Sequence, residues 1–201
     1  MRQPSARTSA APLEPVASRE AVSDVALLAR ITDGDRSALR SLYVRHFHPL
    51  LRFVDRIIRD ADSAQEVVND VMLVVWSNGR SFAGRSTVST WIFGIAYRKA
   101  LKWLEASGRR PRHSAGVDFD EWSEHFPDPD ELDTRADLSD MLSHGLGRLS
   151  PEQRAVVELT YFDGCSYEEI AEITGAPVNT VKTRMFHARA KLRRFLPELG
   201  Y

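Results

Sequence analysis

The clearest chemistry lies near the C-terminus. From Val178 to Leu196 the chain carries six basic residues and no acidic one. Thr180, Lys182, Thr183, Arg184, Phe186, His187 and Arg189 fall within one short helical stretch. Hydroxyl, imidazole and ammonium groups at the start of a helix can reach base edges in a DNA major groove. The flanking Lys191, Arg193 and Arg194 can neutralise phosphates. A small bundle with a solvated basic face has the same composition, so charge alone does not decide between them.

A second group pairs an aromatic ring with cations. At about 100° per residue, Trp91, Arg98 and Lys102 share one side of a helix, away from the apolar stripe of Ile92, Ile95, Ala96 and Trp103. Ring stacking beside phosphate contacts suits nucleic acid, and a tryptophan half-buried in a bundle beside exposed cations fits the same pattern equally well. The preceding segment from Ser81 to Thr90 is polar, contains Gly84 and carries Phe82, Arg85 and Ser86. Such a loop could clasp an unstacked base or only connect two helices. A third group, Glu66, Asn69 and Asp70, lies opposite the apolar face of Val67, Val68, Val71, Val74 and Val75. Periodicity alone makes that an ordinary amphipathic helix.

The elements that would hold these groups are all helical. Apolar residues recur at three- and four-residue spacing from Leu28 to Ile57. Asp33-Gly34-Asp35 breaks that run, Asp62-Ser63 reads as the next cap, and Ser77 to Thr90 reads as a loop. A helix resumes near Trp91 and stops at Gly108. Later, Ser150-Pro151-Glu152-Gln153 and Ser166-Tyr167-Glu168-Glu169 are capping boxes. Ala171, Gly175 and Val181 then have helix-turn-helix spacing: a small residue where helices cross, a glycine for a left-handed turn, and an apolar residue that packs the second helix on the first. Ile170 and Ile173 complete its core. The predicted fold is all-α, with two small helical domains.

Between them lies a segment with Pro111, Pro127 and Pro129. From Val117 to Asp140 it holds ten acidic residues and one basic residue, Arg135. The formal net charge of −1 therefore conceals a basic element and an acidic connector. The domain reading is a flexible leader over 1–23, helical domains over 24–110 and 136–201, and a flexible linker over 111–135. The single Cys165 excludes a disulfide within the chain and fits a reducing cytoplasm. The His46/His48 pair points in two directions on a helix and does not suggest a metal site. The apolar runs fall short of the roughly 18 residues that would insert in a membrane. There is no P-loop, nucleophile elbow or zinc-spaced His/Glu pair, so an enzyme is not expected, nor a cofactor.

Three stretches together resemble the extracytoplasmic-function group of the sigma-70 family. They are Asp60 to Trp76; Phe82 to Ala96 followed by Gly108-Arg109-Arg110; and Leu149 to Arg154 with Asp163 to Ala171 and Pro177 to Arg184. The resemblance covers about Asp24 to Phe195, in the family's order. It implies an alternative sigma factor that binds core RNA polymerase and promoter DNA, acts in the cytoplasm in responses such as stress, and is held in check by an anti-sigma factor.

Carried over residue by residue, Glu66, Asn69 and Asp70 would bind polymerase. Phe82, Arg85, Ser86, Trp91, Arg98 and Lys102 would serve the minus-ten region. Thr180, Lys182, Thr183, Arg184, Phe186, His187 and Arg189 would serve the minus-thirty-five element. Gln65 stands where the family usually has an acid, Asn69 where glutamine is usual, Arg98 where asparagine is common and His187 where arginine is frequent. A long cation contacts DNA differently from an amide, so the family's minus-ten preference is not carried over. The alternative is a stand-alone helix-turn-helix regulator, which leaves the first two stretches unexplained.

Overall fold

The computed structural model describes residues 22–109 and 145–195. The leader, the acidic linker and the last residues fall outside the described part.

The N-terminal block holds α1 (Asp24–Thr32), α2 (Arg36–Ile58), α3 (Ala61–Asn78) and α4 (Val88–Ala106), with a 3-10 turn over Gly79–Ser81 after α3. Each helix starts on a side chain that accepts an orphan backbone N–H: Ser23, Asp35, Asp60 and Thr87. Asp33-Gly34-Asp35 is the expected break. Two boundaries differ from the sequence reading. The cap of α3 is Asp60, which accepts from Ser63 N at 3.0 Å, rather than Asp62 or Ser63. The segment read as a loop from Ser77 to Thr90 is helical at both ends, because Thr87 accepts from Thr90 N and starts α4 three residues before Trp91. Its true loop is only 82–87.

Leu27, Leu28 and Ile31 of α1 pack with Leu42, Leu50, Phe53, Val54 and Ile57 of α2. Val68, Val71 and Val75 of α3 and Ile92, Ala96 and Ala100 of α4 complete that core. Asp60 also pairs with Arg109 at 3.0 Å, and Arg109 lies 5.3 Å over the Trp103 ring. The chain beyond α4 is thereby tied to the start of α3.

The C-terminal block holds α5 (Pro151–Tyr161), α6 (Tyr167–Thr174) and α7 (Val178–Phe195). Both capping boxes form as expected, at Ser150/Gln153 and Ser166/Glu169. Gly175 adopts φ +67 between α6 and α7, a conformation that costs an L side chain energy. Val181, Met185 and Ala188 of α7 close over Ile170 and Ile173 of α6 and Val156 and Leu159 of α5. The described residues hold helices and no strand.

The two blocks touch directly. α6 packs on α4 and α5 packs on α2, and their buried residues form one continuous cluster. Nothing in the local sequence pattern marks this contact.

Candidate nucleic-acid interface

The described helix-turn-helix presents its second helix, α7, with the early residues outward. Lys182 and Thr183 are exposed, and Phe186 is 69% exposed, an unusual degree for a phenyl ring. His187 stands edge-on to Phe186 with ring centroids 5.5 Å apart. Thr180 and Arg184 are half-buried, and Arg184 Nη1 is buried without a hydrogen-bond partner. The Thr183 hydroxyl donates to its own helix at Asn179 O, 2.9 Å away. Arg189 is held from outside the helix: its Nε and Nη2 donate to Tyr161 Oη at 3.0 and 2.7 Å. Burial lowers the pKa of Lys191. The sequence reading did not single out Tyr161, because its partner lies 28 residues away.

The second group forms around the start of α4. Phe82 and Trp91 are both half-buried and lie against each other, centroids 5.6 Å apart with the rings tilted by 57°. The tryptophan thus packs against the loop's own phenylalanine, and both rings remain partly exposed. Arg85 is exposed and Ser86 half-buried. Arg98 and Lys102 are exposed one turn apart. A Cβ at Gly94 would stand 3.3 Å from Arg98 Nη1, so the guanidinium lies back along α4. Thr90 is buried, its hydroxyl 2.8 Å from that of Thr87.

The third group is on α3. Glu66, Asn69 and Asp70 are exposed, as the helical wheel predicts. Two of them have partners from other helices. Tyr43 donates to Asn69 Oδ1 at 3.1 Å, and Lys99 pairs with Asp70 at 2.9 Å. Leu73, one turn on, is 64% exposed on the same face. An exposed leucine thus stands beside two acids and an amide. Leu73 was missed because the sequence places it among the valines.

Other polar residues have structural tasks. His46 is buried with Nε2 2.7 Å from Asp24 Oδ2, while His48 is exposed against Phe47. Burial, with Glu169 and Asp163 nearby, pushes the Cys165 thiol up to about 11. At neutral pH it is a protonated thiol and a poor nucleophile. No described helix is long and apolar enough to cross a membrane.

Known proteins place this arrangement. Residues 42–110 match the model of Sigma-70 region 2, and residues 139–192 match that of Sigma-70, region 4. The chain is 34% identical over 179 residues to the ECF RNA polymerase sigma-E factor of Escherichia coli K12, covering 85% of this chain and 92% of that protein. It is 30% identical over 183 residues to the RNA polymerase sigma-H factor of Pseudomonas aeruginosa, covering 88% and 95%. Among solved structures it is similar to the sigma factor RpoE in complex with the anti-sigma factor NepR from Bartonella quintana. That match has a TM-score of 0.60 and 27% identity, and covers 80% of this chain and 98% of that one. CnrH in complex with the cytosolic domain of CnrY shares the fold, with a TM-score of 0.64 at 23% identity over 89% and 99%.

The chain belongs to the extracytoplasmic-function group of the sigma-70 family. Members of this family are transcription initiation factors that act with RNA polymerase at promoters, not enzymes.

Proposed function

We propose that the three residue groups divide the work of an alternative sigma factor among three helix faces. Glu66, Asn69 and Asp70, with Leu73, dock on core RNA polymerase. Lys99 and Tyr43 fix the outer ends of Asp70 and Asn69, which lowers the entropy lost on binding. Phe82, Arg85, Ser86, Trp91, Arg98 and Lys102 receive the minus-ten region. The Phe82/Trp91 pair offers a ring surface beside cations, on which an unstacked base can rest. Thr180, Lys182, Thr183, Arg184, Phe186, His187 and Arg189 serve the minus-thirty-five element. There Lys182, Thr183 and Phe186 meet base edges and Arg189 meets a phosphate.

The chain contributes recognition and strand capture in the cytoplasm, while the polymerase performs the bond chemistry. Control by an anti-sigma factor is supported by the likeness to RpoE, whose solved structure holds NepR.

The observation that carries this reading is the exposed front of α7, with Lys182, Thr183 and Phe186 outward on a helix set by the Gly175 turn. Footprinting on DNA upstream of target genes tests it. Protection at two separated elements that requires both this chain and core polymerase is the expected result. Protection of one element by the chain alone, unchanged by polymerase, would make it a stand-alone regulator.

A further inference from the structure

A cavity of about 420 Å³ opens beside the end of α2, within the roughly 300–1,000 Å³ range of small-ligand sites. Both blocks line it. Arg59, Leu104 and Arg109 come from the first, and Gly147, Leu149 and Arg154 from the second. Three guanidiniums thus meet at one cavity, and no carboxylate is among its lining residues.

The three arginines are not equivalent. Arg154 donates all five of its N–H groups to carbonyl oxygens: those of Leu146, Gly147 and Leu149 in its own block, and those of Arg56 and Ile57 at the end of α2. It gives the cavity charge but no free donor. Arg109 is exposed and engages Asp60 through Nη1 alone, at 3.0 Å. Among the described residues the Arg59 side chain has neither a hydrogen bond nor an ion pair. Its charge helps to lower the pKa of Arg154, so the two cations repel one another.

Arg59 is held in this place at a cost. It caps α2 with φ 56, and among the described residues no other non-glycine has a positive φ. Glycine would fill that conformation without strain. The guanidinium lies against Gly147, where a Cβ would overlap Nη1 and stand 3.0 Å from Cζ. A strained arginine and a bare glycine together place an unpaired guanidinium at the cavity. Backbone strain of this kind collects at functional sites.

We propose that this cavity is an oxyanion-binding site, in which Arg59 and Arg109 hold a phosphate or carboxylate group of the ligand. A guanidinium fork matches the paired oxygens of either group. Arg154 adds charge, and so does the positive end of α5, whose first residue, Pro151, is part of the lining. The site shares no residue with those assigned to polymerase or DNA. Two sources carry such a group: a phosphorylated small molecule, and the acidic segment of this chain from Val117 to Asp140.

Isothermal titration calorimetry of the full chain with inorganic pyrophosphate, at fixed ionic strength, tests the site. Saturable binding to a single site is expected. Arg59→Gln removes the charge, and Gly147→Ala keeps the charge but displaces the guanidinium. Each should weaken binding about tenfold. Arg59→Gly should weaken it equally while the melting temperature holds or rises, because the cap is relieved of strain. A second chain has the ten acids from Val117 to Asp140 changed to amides. If only that chain binds pyrophosphate, and Arg59→Gln abolishes the binding, the site stands and the chain's own carboxylates are its occupant.

Absence of binding by both chains would overturn the proposal. So would binding that Arg59→Gln leaves unchanged, which places the anion on another basic surface such as α7. A melting temperature lowered by Arg59→Gly would give Arg59 a packing role and overturn its role as a ligand-holding residue.

Discussion

Arg154 Nη1 stands 3.0 Å from the carbonyl oxygen of Ile57, a residue ninety-seven positions earlier in the chain. The guanidinium is held on five carbonyls at once, and burial lowers its pKa to about 10, with Arg59 adding to that and Glu158 opposing it. It is still charged at neutral pH. Lysine carries the charge but not the planar fork. Arg154→Lys is expected to leave several buried carbonyls without donors and to cost about 2–4 kcal/mol of stability, measured by denaturant unfolding. A loss within 0.5 kcal/mol or so would show that the carbonyl set contributes little.

The buried acids Glu158 and Asp163 give folding a pH dependence of defined sign. Burial raises the pKa of Glu158, opposed by Arg56 and Arg154 and assisted by Asp163. Burial likewise raises that of Asp163, opposed by Arg52 and Arg56. A carboxyl whose pKa is higher in the folded chain than when hydrated binds protons more readily there, so folding gains stability as pH falls. The folded chain is expected to gain stability from these acids as pH falls from neutral toward the ordinary glutamate value of 4.5. The caps Asp35 and Asp60 behave oppositely. Hydrogen bonds, led by the Ser37 hydroxyl and the Ser63 N–H respectively, lower their pKa values. Their contribution is present above the ordinary aspartate value of 3.8 and is lost as pH falls through the depressed values. Denaturant unfolding at about pH 7.5 and about pH 5.5 should therefore show a larger share of stability from these acids at the lower pH, and Glu158→Gln should flatten that difference. A difference between wild type and Glu158→Gln that runs the other way on mild acidification would contradict this sign.

The turn between α6 and α7 sets the angle at which the DNA-facing helix is presented. Gly175 has φ +67 and open space where a Cβ would go. The cost of Gly175→Ala is therefore backbone strain alone, roughly 1–2 kcal/mol. Thermal melting should show that loss. Promoter-dependent transcription should fall with it if the turn relaxes by rotating α7. A variant as stable as wild type would mean that the turn tolerates an L residue.

Much of this local structure is legible in the sequence because its causes are local. Ser150 with Gln153, Ser166 with Glu169, and Gly175 each act within a few residues of themselves, and all three form as expected. The start of α4 was misplaced because Thr87-Val88-Ser89-Thr90 is polar and β-branched, which reads as loop. In the fold Val88 and Thr90 are buried, so packing overrides propensity. The cap of α3 was misplaced by two residues because Asp60, Asp62 and Ser63 are all good caps, and only Asp60 also meets Arg109. The wheel put Glu66, Asn69 and Asp70 outward, but could not show that Tyr43 and Lys99 hold two of them. The polar contact between the two blocks was invisible for the same reason. Arg56 stands 98 residues before Arg154 and 102 before Glu158, and nothing in their own neighbourhoods marks them.

The Tyr161–Arg189 contact separates positioning from charge. Tyr161→Phe removes the oxygen that holds the guanidinium but leaves its charge. Promoter affinity of the polymerase complex is expected to fall about threefold, near the worth of one hydrogen bond. The slope of affinity against salt should not change. Arg189→Ala should lower that slope by about 1, the signature of one lost phosphate contact. An unchanged slope in Arg189→Ala would remove Arg189 from the phosphate-binding set.

The account as a whole requires that this chain brings polymerase to DNA through α3. The most direct measurement is run-off transcription with purified core polymerase on a library of promoter fragments, comparing wild type with the charge-reversed Glu66→Lys/Asp70→Lys variant. Specific transcripts that need the chain and vanish with the double variant, while that variant remains folded, are the predicted result. Transcripts of equal yield from both proteins would contradict the assignment of α3 as the polymerase-binding helix. An absence of transcripts alongside tight DNA binding by the chain alone would contradict the sigma-factor account itself.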